Sequence, residues 1–308
     1  MNRSKLKWII PLSLLLIVLI AAVTWQIIQS RITAKVEAQL QQTLREFNWE
    51  DKVKWESLSV SPAGTLTLNR VRFEYFPDAV VNMEQLRISD VIDNADRQRI
   101  RLQLKQSKAE LPEITTKGVP AALFNPVDAD LQLDLNFASN QAQILYKSQQ
   151  AGTADIEIQL NLSEIGALRG ILATVFPKSS AAMQELDPNF IGLNRLAAIY
   201  SISIKAFDGK IHNNGLVELL TAELTQEMNK ENKGMGEQTF MRLVQDVQFS
   251  CHDNQPALIQ PCQTLADFFL AKQSNLHISA RPAQPVSLQQ LDGGNNAAVF
   301  KLLNINIQ

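Results

Sequence analysis

Histidine and cysteine are scarce in this sequence, and each shortage closes off a line of chemistry. The three histidines, His212, His252 and His277, are scattered, which leaves little for general-base work and no ligand spacing for a metal. There is no Gly-x-Ser-x-Gly elbow, no His-Glu-x-x-His helix and no phosphate-cradling glycine loop. Glu110 and Glu113 flank Pro112 and read as loop-solvating acids, while Asp128, Asp130 and Asp134 alternate with apolar residues as the wet face of a strand would. Neither sign of charge is in large excess: 29 Lys and Arg face 31 Asp and Glu, which argues against a nucleic-acid surface. The expectation is a protein without enzymatic activity, cofactor or metal; a hydrolase assembled from distant positions stays open, with no residue to support it.

The two cysteines, Cys251 and Cys262, have ten residues between them, among which are Asp253, Asn254, Pro256 and Pro261. A polar, proline-marked interval of this kind predicts a loop that a disulfide staples, worth roughly 2.5–3 kcal/mol in the chain-entropy picture. A metal reading through His252 lacks two further ligands, and a pair of free thiols is the remaining alternative.

Long apolar runs are absent except at the beginning. Trp8 to Ser30 contains no charged residue, and Arg3, Lys5 and Lys7 precede it. Such a run makes a helix of roughly 34 Å, enough to cross a ~30 Å hydrocarbon core with some tilt. The basic N-terminal flank outweighs Arg31 and Lys35, which Glu37 offsets, so the predicted orientation keeps the N-terminus in the cytoplasm. Trp8 and Trp25 bracket the run as interfacial aromatics. A cleaved signal peptide would end near Ala21 and Ala22, but Trp25, Ile27 and Ile28 carry the apolar run past any cut.

Beyond this run the chain is polar and periodic. In residues 31–48, Ile32, Val36, Leu40, Leu44 and Phe47 form a narrow helical stripe, suited to packing on the domain; a dimerising helix is the alternative, over a length short for a coiled coil. From Val53 the period changes to two. Leu58 and Val60, then Leu66, Leu68, Val71 and Phe73, read as strands around a Pro62-Ala63-Gly64 turn, with a phase slip at Asn69-Arg70 that suggests a bulge. Further alternation runs over 79–89 and 99–110 and most clearly over 131–162, with turns at Asn140 and Gly152. One face is apolar and the other polar, as in antiparallel sheets with one covered face.

Ser163 can cap a helix carrying Ile165, Leu168, Leu172 and Val175, stopped by Pro177. A strand from Ile199 to Phe207 meets Asp208-Gly209, a hairpin signal. Helices follow on Leu216 to Met228, on Phe240 to Val247, and around Leu265, Phe268 and Phe269, and strands over 275–281 and 299–307 close the chain. A second boundary is possible where Pro112, Pro120 and Pro126 cluster.

Two stretches resemble known envelope proteins. SLSVSPAGTLTLNRVRFEYFPDAVVNMEQLRISD resembles the opening module of AsmA-like inner-membrane proteins, in which a strand, a glycine turn and a second strand follow the anchor. FDGKIHNNGLVELLTAELTQ and LHISARPAQPVSLQQL resemble the finishing modules of small membrane-anchored periplasmic proteins of uncharacterised families. The resemblance implies a Gram-negative envelope role, in moving or accommodating lipid along an apolar β-groove, and carries over no catalytic residue.

The expected fold class is therefore α+β: an N-terminal transmembrane helix followed by a curved antiparallel β-sheet domain with packed helices. The expected organisation is a cytoplasmic tail (1–7), a single-pass inner-membrane anchor (8–30), a juxtamembrane helix (31–48) and a periplasmic domain (49–308). The expected function is non-enzymatic binding of lipid or a hydrophobic partner through an apolar sheet face. Candidate groove residues are Leu131, Leu133 and Leu135, then Ile156, Ile158 and Leu160, with Ile202 and Ile204 nearby; the competing reading makes them ordinary core. Expected partners are the bacterial inner membrane, phospholipid or other acyl chains, and other envelope proteins. The alternative function is an adaptor in an envelope secretion or cell-wall complex, held through the anchor and the 31–48 helix.

Overall fold

From Val53 onward the period-two alternation builds strands that hydrogen-bond, almost all in chain order, into one antiparallel sheet. The computed structural model describes residues 32–46, 48–76, 79–110, 120–166, 168, 199–231, 235–254, 259–292 and 296–308. The strands are β1 (Val53–Lys54), β2 (Ser57–Val60), β3 (Leu66–Phe76), β4 (Ala79–Asp93), β5 (Arg97–Glu110), β6 (Val127–Asn136), β7 (Gln141–Gln150), β8 (Ala154–Ser163), β9 (Ser203–Asn213), β10 (Asn275–Ala280), β11 (Val286–Ser287) and β12 (Ile305–Ile307). Their order is β1-β3-β4-β5-β6-β7-β8-β9-β10-β12, with β2 on β3 and β11 on β9, so the sheet is open. The fold is α+β with a large antiparallel sheet. The helices are α1 (32–46), α2 (Leu216–Glu231), α3 (Gly236–Asn254), α4 (Ile259–Phe269), α5 (Leu288–Asp292) and α6 (Asn296–Leu303).

Directly paired residues in antiparallel strands project to the same face, so the register sorts the whole sheet. One row runs from Val60 and Leu66 through Leu131 and Tyr146 to Ile278 and Ile307, and it is apolar throughout apart from Gly209 and the tyrosine hydroxyl. The neighbouring row on the other face runs from Thr67 through Asp130 and Lys147 to His277 and is polar throughout. The sheet therefore has one apolar and one polar face from end to end.

Helices cover the apolar face at its two ends. At one end Leu40 of α1 packs beside Trp55 and Leu58 on the buried Leu68, Val71 and Met83. Trp55 Nε1 also donates to Glu37 Oε1 at 3.4 Å. The helical stripe is thus engaged with its own domain at Leu40, while Ile32 at its start is exposed and Phe47 lies outside the described residues. At the other end Val217 of α2, Phe268 of α4 and Phe300 of α6 meet Leu276 and Ile307. Helix α3 packs on α2 and α4 through Phe240, Val244 and Ala266.

The phase slip at Asn69-Arg70 is present: Leu68 and Val71 are both buried, and Arg70 adopts φ 50°. Its register with β4 nevertheless runs on from Asn69↔Gln85 to Val71↔Met83, because the opposite strand slips at Glu84 as well.

Several local expectations are corrected. Asp208-Gly209 is no hairpin: β9 runs straight through it, Gly209 pairing with Ile158 and Ile278. The glycine makes room for the Phe207 ring, which would lie 2.8 Å from a Cβ there. Residues 299–307 are not one strand; Val299 and Leu303 of α6 share a helical face against Ala280 and Val286, and only β12 is extended. The Cys251–Cys262 interval is no simple loop either. Cys251 lies in the last turn of α3 and Cys262 in the first turn of α4, where Pro261 is tolerated because the first-turn N–H groups have no intrahelical acceptor. Ser163 ends β8, and its buried hydroxyl has no hydrogen-bond partner, so it caps no helix. Leu172, Val175 and Pro177 lie outside the described residues, as does the expected span 8–30. Among the described residues no helix is long and apolar enough to cross a membrane.

Candidate functional site

The apolar face separates into packed core and a central strip. Leu135 is buried with Ala142 and Ile165, and Leu133 packs against them. Ile202 is buried where the chain enters β9, its carbonyl accepting from the Leu288 N–H at 3.0 Å. Ile204 packs on Val286 and Ala280. Leu135 and Ile202 are thus buried core, and Leu133 and Ile204 are half-buried side chains packed on core clusters. Leu131, Ile156, Ile158 and Leu160 are half-buried and belong to none of the packed clusters among the described residues. The register sets beside them Ile100 and Leu102 of β5 and Ile144 and Tyr146 of β7, all half-buried as well. The result is an apolar strip across β5 to β8.

The strip's four additional members could have been found from sequence only in part. The turns at Asn140 and Gly152 fix the register of β6, β7 and β8, and so align Ile144 and Tyr146. Ile100 and Leu102 join through β5–β6 pairing, which no short turn announces.

The polar face carries the charged groups. Arg97 and Arg99 both close on Asp134, Arg101 on Asp130 and Lys105 on Asp128, a ladder of ion pairs joining β5 to β6. The three aspartates are thus partnered groups rather than a merely solvated row, and Asp134 is only 9% exposed. Hydrogen bonds from Arg97, then Arg99, hold its carboxyl down at about 2, against the desolvation that would raise it. Asp130 is lowered chiefly by Arg101, and Asp128 by the Gln106 backbone N–H and then Lys105. Further along, His277 Nε2 lies 3.0 Å from Asp208 Oδ2 and lowers that carboxyl too.

This face is also hollowed, whereas the expected hollow was over the apolar residues. A trough of about 730 Å³ crosses β5 to β10, with polar side chains two residues apart on each strand, such as Gln103 and Lys105, or Asp155 and Glu157. Ala129, Ser148 and Ile156 lie between those side chains and contribute to its floor. Among the described residues no group of three His, Cys, Asp or Glu is placed to hold a metal ion. Cys262 is disulfide-bonded, and the chain's other cysteine is Cys251.

A family model described as "Uncharacterized protein" matches residues 114–308, and the chain belongs to that family. The match begins in the connection between β5 and β6, so it takes in the strip's residues on β6, β7 and β8 and leaves α1 and β1 to β5 outside it. No curated protein matches the chain.

Proposed function

We propose that this protein is a non-enzymatic component of the bacterial envelope, anchored in the inner membrane by residues 8–30, whose exported domain binds an acyl chain across the apolar strip of β5 to β8. The observation that carries this reading is the strip itself. Eight apolar side chains on four adjacent strands are aligned on one face and half-buried, while α1 and the late helices pack the same face at its two ends. Burying such a surface against hydrocarbon contributes about 25 cal/mol for each Å² removed from water. The uncharged, tryptophan-bracketed run at the N-terminus and the AsmA-like pattern of residues 57–90 support an envelope setting. An adaptor role through α1 is the weaker alternative, because Leu40 already packs on the chain's own sheet.

Lipid extraction and mass spectrometry on residues 30–308, exported to a bacterial periplasm, test the proposal. About one phospholipid or other acyl chain per domain, lost when Leu131 and Ile158 are both changed to Asp in a protein that stays folded, is the expected result. A lipid-free mass for the parent protein would overturn it.

A further inference from the structure

A second hollow adjoins the trough on the polar face. It has a volume of about 350 Å³, is lined by Asn69, Glu84, Gln85 and Gln106 among others, and shares Lys105 with the first. The two lie along one register row: Asn69 pairs with Gln85 and Gln85 with Lys105, and beyond β6 Gln149 pairs with Asp155 and Asp155 with His212. Together they cross eight strands, β3 to β10, a distance of roughly 34 Å at the usual spacing between strands.

Two features narrow what such a groove can hold. From β6 to β10 its floor is sheet interior, where backbone N–H and C=O groups are committed to the ladder, so there an extended peptide finds no strand edge to pair with. Recognition is left to side chains. In the larger hollow these are three lysines and four carboxylates, with amides and two histidines between them, so neither a polyanion nor a polycation is favoured. Closely alternating donors and acceptors suit a ligand whose groups both donate and accept, as hydroxyls do. Most charges in the groove are already paired, as in Lys147–Glu157 at 3.1 Å, yet Asp155 and Gln149 line it without a side-chain hydrogen bond or ion pair among the described residues.

We infer that the polar-face groove is a binding site for a linear, uncharged, hydroxyl-rich polymer, namely an oligosaccharide, with Asp155 and Gln149 as its free hydrogen-bonding groups. This site lies on the face opposite the apolar strip, shares only Ile156 with it, and does not depend on lipid binding there.

The test is calorimetric titration of the full chain in detergent micelles with chitohexaose, cellohexaose, maltohexaose and laminarihexaose. At least one should bind at concentrations up to ~10 mM. Changing Asp155 and Gln149 together to Ala should weaken that binding about tenfold or more, the effect of losing a charge-assisted hydrogen bond. Gln143→Ala, on the same face but outside the groove, should leave it unchanged. Three results would overturn the inference: no binding by any of the four, equal binding by the double variant, or displacement of a bound saccharide by an extended neutral peptide.

Discussion

Arg97 and Asp134 meet as a two-pronged pair across β5 and β6: Nε donates to Oδ1 at 2.9 Å and Nη2 to Oδ2 at 2.6 Å. Arg99 adds two more donors to Oδ2, at 3.0 and 2.7 Å, so one nearly buried carboxylate accepts four hydrogen bonds from two guanidinium groups. Because the folded pKa is about 2 and the unfolded value is 3.8, the carboxylate contributes stability that is complete above the unfolded value. That contribution is roughly 2 kcal/mol and is lost as pH falls through the folded pKa. Asp134→Asn should therefore lower the unfolding free energy by about 2 kcal/mol at neutral pH. Urea titrations of both proteins between neutral pH and ~2 check this, since the gap between them should close as the acid end is approached. A gap that stays constant with pH would contradict the linkage.

Three neighbouring strands slip phase at aligned positions, Arg70 on β3, Glu84 on β4 and Gln106 on β5, making a crease that lines the smaller hollow. Arg70 and Gln106 sit in the left-handed region, at φ 50° and 49°. Only glycine takes that conformation without steric cost. Arg70→Gly should be at least as stable as the parent, its exposed ion pair with Glu56 being worth little. Arg70→Val should be less stable than Arg70→Gly by about 1–2 kcal/mol. Equal denaturation midpoints for the two variants would show that the crease does not depend on the left-handed residue.

The orphaned Ser163 hydroxyl offers a simpler case. A buried hydroxyl without a partner costs about 1–3 kcal/mol of desolvation, so Ser163→Ala should match or exceed the parent in stability by up to about 1 kcal/mol. A clear loss in a thermal melt would mean that the hydroxyl is in use.

Much of the sheet was legible because β6, β7 and β8 state their own register. The alternation of β6 and β8 is unbroken, that of β7 departs only at Leu145 and Ser148, and their turns, at Asn140 and Gly152, are short. The ion-pair ladder is written just as openly, as Arg97, Arg99, Arg101 and Lys105 on one strand against Asp134, Asp130 and Asp128 on the next. It cannot be read locally, because a long connection separates the two strands and nothing near either says that they pair. Asp208-Gly209 misled for the opposite reason. A dipeptide that turns a chain in isolation is overridden where Gly209 has a paired neighbour on each side and accommodates the Phe207 ring. The polar trough could not be seen at all, because it is a property of rows running across strands. Of the eight candidate groove residues, Leu135 and Ile202 are buried, and Leu133 and Ile204, though half-buried, pack on core clusters that Leu131, Ile156, Ile158 and Leu160 do not join, a distinction that alternation cannot make.

That distinction predicts two different responses to the same substitution. Leu135→Asp sets an unpaired charge against the fully buried Ile165 and should abolish cooperative folding. Leu131→Asp, in the half-buried strip, should leave a folded domain. Circular dichroism melts of the two variants decide it. Loss of folding in both would make the strip part of a closed core.

Whether the apolar strip of β5 to β8 holds an acyl chain is decided by photo-crosslinking from single positions. A benzophenone side chain replaces Ile158, on the strip, or its neighbour Gln159, on the opposite face, in the full chain expressed in bacterial cells. An acyl chain on the strip should give a phospholipid-mass adduct from position 158 and none from position 159. No lipid adduct from position 158, or equal adducts from both faces, would contradict it.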